Sequence, residues 1–272
     1  TGTSNGNVQD LYKKTRTTGI NRSRAQPKER EKRRFSSLHA ALAGEFDPCR
    51  SRWEIAAQEL NEMNEARVVP FVNQKGGVGK STVVSNIGVE LTRRRLRVAL
   101  LDTDPQGSLI LWRDGRDAEW PFVRSLRSRD LPNWLSKARK EFDAILVDTP
   151  GHDMRSLAEV AVVADLTMIV SQATVLANAA TAYVRKAFID AGLPYAIVLS
   201  HAPATMTPRL TAWLDKHREL GEIAGGFLAY RVDFQDAALR GLGVSEYRPD
   251  GAAAHEVARL TDWLLERLEL TS

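Results

Sequence analysis

The chain is poor in the groups that would place a protein outside the cell or within a membrane. Cys49 is its only cysteine, so no disulfide framework and no thiol-rich metal site is expected. The histidines, His39, His152, His201, His217 and His255, show no metal-ligand spacing. No apolar run approaches the roughly 18 residues that a membrane-spanning helix requires. No pattern of a positive start, an apolar core and a small-residue cleavage site marks a signal peptide. These absences predict a cytosolic protein held together by its core alone. Its 272 residues suffice for one α/β domain of about 200 residues with an extension.

The net charge of +4 hides an asymmetry. Residues 11–34 hold ten Lys and Arg against Glu29 and Glu31, a local charge of +8 that leaves −4 for the remainder. That stretch has few apolar residues and contains Pro27, so it cannot bury enough surface to fold alone. Residues 1–34 therefore read as a flexible basic arm, with Thr1 to Gly6 resembling a linker. The arm either holds phosphate backbones loosely and salt-sensitively or is a solvated tail. Residues 35–66 read as a helical extension in two pieces. Phe35 to Leu42 runs to Gly44, and Ser51-Arg52-Trp53-Glu54 fits a capping box. Trp53, Ala56, Leu60 and Met63 then recur on one helical face. That face either packs on the main domain or forms a docking or dimer surface. It lacks the helix-turn-helix pair of an operator-binding domain.

The most informative stretch is Gln74-Lys75-Gly76-Gly77-Val78-Gly79-Lys80-Ser81-Thr82. Val68 to Val72 before it reads as a buried strand, and Ser81 to Arg93 after it carries apolar residues at helical spacing. A strand, a glycine-rich loop and a helix are the context of a phosphate-binding loop. Glycines allow several backbone N–H groups to converge on one phosphate chain, and the helix N-terminus adds positive potential. Lys80 is expected to reach the β- and γ-phosphates and Ser81 to place its hydroxyl on Mg2+. Yet Gln74 stands where the usual pattern has its first glycine, and Lys75 is a lysine beyond what that pattern needs.

Two further motifs follow. The strand Arg97 to Leu101 ends in Asp102-Thr103-Asp104-Pro105-Gln106-Gly107-Ser108, so two carboxylates sit where open α/β sheets bind ligands. Phe142 to Val147 ends in Asp148-Thr149-Pro150-Gly151, an apolar strand closed by the aspartate that holds Mg2+ in such sites. In this order the three motifs resemble the ParA-type partition ATPases of the deviant Walker A group, which also contains MinD. The resemblance runs from about Arg67 to Leu270. Leu109-Ile110-Leu111-Trp112 and Asp250 to Val257 look like the small ParF-like branch.

The resemblance implies a P-loop NTPase domain over residues 67–272, with a mostly parallel sheet flanked by helices. It implies a weak, Mg2+-dependent ATPase in which Gly76, Gly77, Val78, Gly79, Lys80, Ser81 and Thr82 bind ATP. Lys75 is then the signature lysine, reaching the nucleotide of a second subunit in a sandwich homodimer, and Lys80 acts within its own subunit. Asp104 resembles the carboxylate that orients or activates the attacking water. Ser81, Asp102 and Asp148 resemble the Mg2+-side groups, the acids acting through water. The family binds nonspecific DNA as the ATP dimer and is stimulated by a cargo-bound, ParB-like partner. That implies a bacterial, nucleoid-associated protein. Arg209, Lys216, Arg218, Arg231, Arg240 and Arg248 are candidate DNA contacts, and Phe234 stands where the family pattern places a second arginine.

Two alternatives stay open at this stage. Asp148-Thr149-Pro150-Gly151-His152 also resembles the D-x-x-G box of translational GTPases, although no N-K-x-D or T-K-x-D guanine-reading motif occurs. A MinD-like relative would bind membrane through its last helix. Here that helix, about Ala252 to Leu270, has Val257, Leu260, Leu264 and Leu268 on one face. Its polar side is acidic rather than basic, so it reads as core packing. Leu166 to Val170, Tyr195 to Leu199 and Gly226 to Tyr230 are expected to complete the sheet.

Overall fold

The structure, a computed structural model, describes residues 66–151 and 154–270. The basic arm, nearly all of the helical extension and His152 lie outside them. Seven strands form one sheet. They are β1 (Arg67–Val72), β2 (Val98–Asp102), β3 (Phe122–Ser125), β4 (Ala144–Asp148), β5 (Thr167–Ser171), β6 (Tyr195–Ala202) and β7 (Ile223–Ala229). The helices are α1 (Lys80–Arg93), α2 (Ser108–Asp114), α3 (Leu131–Ala138), α4 (Met154–Ala161), α5 (Val175–Ala191), α6 (Pro208–Leu220), α7 (Val232–Ala238), α8 (Val244–Tyr247) and α9 (Ala252–Leu268).

The strand order is β3-β2-β4-β1-β5-β6-β7, and every pairing is parallel. Parallel strands need crossovers, and the helices that supply them cover both faces. This explains why the strands read as continuous apolar runs. Along β1, Val69 and Phe71 enter one core with α1 and α9, while Val68 and Val72 enter the other with α3 and α5. The chain leaves β1 towards β2 on one side and returns to β5 on the other, so the topology reverses at β1. Ligands of open α/β sheets bind at the carboxyl ends beside such a point, and the glycine-rich loop begins there.

Six strands fall where the sequence places them, with ends shifted by at most three residues. β3 was not expected. It is an edge strand whose only buried side chain is Val123, so it carries no apolar run to read. The last helix packs through Val257, Leu260, Leu264 and Leu268 into the core, as its acidic outer side suggests. No helix among the described residues is long and apolar enough to cross a membrane.

Candidate nucleotide site

The glycine-rich loop is tied down at both ends. Asn73, buried at the end of β1, donates from Nδ2 to the Val170 carbonyl at 2.5 Å and accepts the Lys75 N–H at 2.8 Å. Gly77 and Gly79 adopt φ of +73° and +87°, a region that side chains with a Cβ enter only with strain. Gly79 caps α1, so the free N–H groups of that helix open into the loop. Lys80 follows at the first helical position and is buried.

The register of the sheet brings the acids together. Asp102 and Asp148 close β2 and β4 and are paired directly across the two strands. The Thr103 N–H and hydroxyl both donate to the Asp148 carbonyl, at 2.9 and 2.8 Å, and the Thr149 hydroxyl donates to the Phe71 carbonyl at 2.8 Å. These threonines lock the strand ends that carry the acids. Ser81 Oγ donates to Asp148 Oδ2 at 2.5 Å. Asp148 Oδ1 is buried and has no hydrogen-bond partner among the described residues. Burial pushes the Asp148 carboxyl up to about 7, against the opposing pull of the Ser81 hydroxyl and the Lys80 ammonium. The negative fields of Asp102 and Asp104 push it the same way as burial. A buried carboxylate with an orphaned oxygen, beside a serine hydroxyl, is a hard-oxygen donor set that suits Mg2+.

Asp102 is placed differently from Asp148. Its Oδ1 accepts the Asp104 N–H at 3.1 Å, and its Oδ2 accepts the N–H groups of Leu109 and Ile110 at 2.9 and 3.3 Å. Burial raises its pKa, and these three donors counter the rise. Its contacts hold the Asp104 loop and the start of α2 in place. Asp104 itself is half-buried, and its Oδ1 accepts the Gln106 N–H at 2.9 Å. Gly151 packs on the phosphate loop: a Cβ there would lie 3.3 Å from the Gly76 nitrogen. The glycine of the D-T-P-G stretch thus has a packing reason of its own.

The Lys75 ammonium has no hydrogen-bond or ion-pair partner among the described residues. The side chain is half-buried beside exposed Gly76 and Gly77.

Three residues of the site were missed in the sequence. Ser200 Oγ donates to the Val78 carbonyl. Gln172 Nε2 donates to the Gly77 carbonyl at 3.1 Å and lies 2.6 Å from His201 Nδ1. His201 Cε1 is 3.3 Å from the place a Cβ on Gly79 would occupy. The Gln172 contact requires an unprotonated Nδ1, and burial lowers the His201 pKa, which favours the neutral ring. These side chains brace the loop from the ends of β5 and β6. Their signal was available: polar residues closing two otherwise apolar strands.

A family model described as the CobQ/CobB/MinD/ParA nucleotide binding domain matches residues 69–244. The chain belongs to this family. Among relatives of the ParA/MinD domain, it is 30% identical over 196 residues to the "Maintenance of carboxysome distribution protein A" of Gloeobacter kilaueensis, covering 70% of this chain and 89% of that one. A shorter match, 40% identical over 60 residues, is to the "Probable plasmid-partitioning protein ParA" of Thermus thermophilus; it covers 22% of this chain and 18% of that one. In fold it is similar to a putative plasmid partition protein of Borrelia burgdorferi bound to AMPPNP. The TM-score is 0.61 at 14% identity, covering 75% of this chain and all of that one.

Within this ParA/MinD-type domain the basic candidates do not form one patch. Arg209 and Lys216 are exposed on α6, whose apolar side enters the core shared with α3 and α5. Arg240 lies beyond α7, on the opposite face of the sheet, with its guanidinium 5.2 Å from the Tyr247 ring. Arg218 pairs with Asp215 at 3.1 Å and Arg248 with Asp233 at 3.2 Å. Phe234 is buried in the core. Arg231 is engaged within the protein: its guanidinium pairs with the buried Glu256 at 2.7 Å, and the other Glu256 oxygen accepts the Ala229 N–H at 3.0 Å, while the arginine side chain stays 23% exposed. Arg231→Ala should therefore destabilise the fold by about 2 kcal/mol, whereas Lys216→Ala should stay within about 0.5 kcal/mol. Urea denaturation of the two variants measures both.

Proposed function

We propose that this protein is a Mg2+-dependent ATPase that positions or partitions a cargo, cycling between a monomer and an ATP-bound homodimer. The observation that supports it most is the cluster of buried Lys80 and Asp148 with half-buried Ser81, beside a Lys75 whose ammonium has no hydrogen-bond or ion-pair partner among the described residues. Residues 76–82 would cradle the phosphates, with Lys80 on the β- and γ-oxygens. Ser81 and Asp148 would hold Mg2+, which supplies charge neutralisation between the phosphates when bound. Asp102 would act at one remove, by fixing the loop that presents Asp104. Asp104 Oδ2 has no protein partner among the described residues, which leaves it available to orient the attacking water. Lys75 would enter the site of the second subunit and stabilise charge on the phosphates as an arginine finger does.

ATP is preferred over GTP because the chain lacks the guanine-reading motifs. The cargo is either nucleic acid or a protein body, since one relative carries a carboxysome-distribution name and another a plasmid-partitioning name. The track for the ATP dimer would be nonspecific DNA, held by Arg209, Lys216, Arg240 and the basic residues 11–34, and a cargo-bound, ParB-like partner would trigger hydrolysis. The test is binding to DNA fragments of unrelated sequence with ATP or ADP, across a salt series. Binding with ATP alone, equal for all sequences and falling steeply with salt, is the expected result. ATP-dependent flotation with liposomes in the absence of DNA binding would show a membrane-positioning protein instead.

A further inference from the structure

We propose that residues 51–65 pack as an amphipathic helix on an aromatic patch at the β3 edge of this domain. The patch is built around Phe142, whose ring lies 6.2 Å from Trp120, 5.6 Å from Phe122 and 5.9 Å from Trp134. Trp120 and Phe122 remain 40% and 37% exposed, a large apolar area to leave in water at one edge. Phe142 and Trp134 belong to the core that also takes in Ala66, so the patch continues the face from which the chain enters the sheet.

The place where the segment ends favours this occupant. The Arg67 N–H donates to the Asp143 carbonyl at 3.0 Å, and the Ala66 carbonyl accepts from Arg139 Nε at 2.9 Å. Asp143 is the residue next to Phe142, so the root of the segment is pinned one residue from the centre of the patch. Met63 is three residues before Ala66, and three residues of extended chain reach about 10 Å. From Met63 to Trp53 a helix would run about 15 Å, enough to carry the Trp53, Ala56, Leu60 and Met63 stripe across the ring cluster. Charge agrees. Residues 51–65 carry Arg52 against Glu54, Glu59, Glu62 and Glu65, while the border of the patch carries exposed Arg124, Lys137 and Lys140 against Glu119 and Glu141, a net positive balance. Docking there holds the start of the chain at the amino-terminal ends of the strands, away from the phosphate loop.

Hydrogen exchange of the full chain, read by mass spectrometry, tests the docking. Amides of residues 53–63 should exchange at least about tenfold more slowly than an unstructured peptide. Phe122→Asp, an edge change that leaves the core strands intact, should restore fast exchange there and leave β1 protected. Protection should be equal at high and low protein concentration. Exchange at the unstructured rate in the unmodified chain would overturn the proposal, as would protection indifferent to Phe122→Asp. Protection lost on dilution would also overturn it, in favour of a second copy on the patch.

Discussion

Replacing Lys75 by alanine should leave nucleotide binding by a single protomer within about threefold of wild type and cut ATP turnover by about 10³-fold. The asymmetry follows from where the two lysines sit. Lys80 is buried at the start of α1, close enough to Asp148 to oppose the rise of its pKa, and under the proposed function it would serve its own subunit's phosphates. The Lys75 ammonium makes no hydrogen bond or ion pair among the described residues of its own subunit. Desolvating an unpaired ammonium is costly, so this charge gains most when phosphates of another subunit reach it. Mg2+-ADP titration of the monomer and steady-state ATP turnover measure the two effects separately. Weakened ADP binding that matches the loss of turnover would mean that Lys75 works within its own site.

Asp148→Asn should stabilise the nucleotide-free protein while disabling it. At pH 8, without Mg2+, the variant should melt about 5 °C above wild type, corresponding to about 2 kcal/mol for a domain of this size. Wild type keeps a buried carboxylate there with one oxygen unsatisfied. The folded pKa of about 7 lies above the ordinary carboxylate value. The stability associated with Asp148 is therefore full below about pH 4 and is lost as the pH rises through about 7. At about pH 4 the two proteins should melt nearly together, with the gap opening steadily between about pH 4 and 7. Saturating Mg2+-ATP should reverse the order at pH 8, because only wild type gains binding energy from the loaded site. A variant less stable than wild type at pH 8 without ligand would show that the Asp148 charge is already satisfied.

The parts of the site legible in the sequence are those that the chain must write contiguously. A loop that wraps a phosphate needs its glycines, lysines and serine at fixed spacing, so Lys75 to Thr82 could be read directly. Asp102, Asp104 and Asp148 were legible because each closes or follows an apolar strand. Gln172, Ser200 and His201 were signalled only as polar residues closing two apolar strands, and their contacts with the loop exist only once β5 lies beside β1 and β6 beside β5. The pairing of Arg231 with Glu256 was not legible, because Glu256 lies in α9 and a sequence shows a charge without showing what stands beside it. The DNA candidates looked like one group along the chain, but the sheet separates α6 from α7. β3 was invisible because an edge strand with one buried side chain carries almost no periodic signal.

The central claim is that each protomer completes the other's site, and mixing two inactive variants tests it most directly. Lys75→Ala retains Asp104 for its own nucleotide, and Asp104→Ala retains Lys75 for its neighbour's. Each alone should be nearly inactive. In a two-fold dimer formed by random mixing, half of the dimers are hybrids with one intact site, so roughly one quarter of wild-type turnover should return. A mixture no more active than its components would contradict the account and place Lys75 in its own subunit's site.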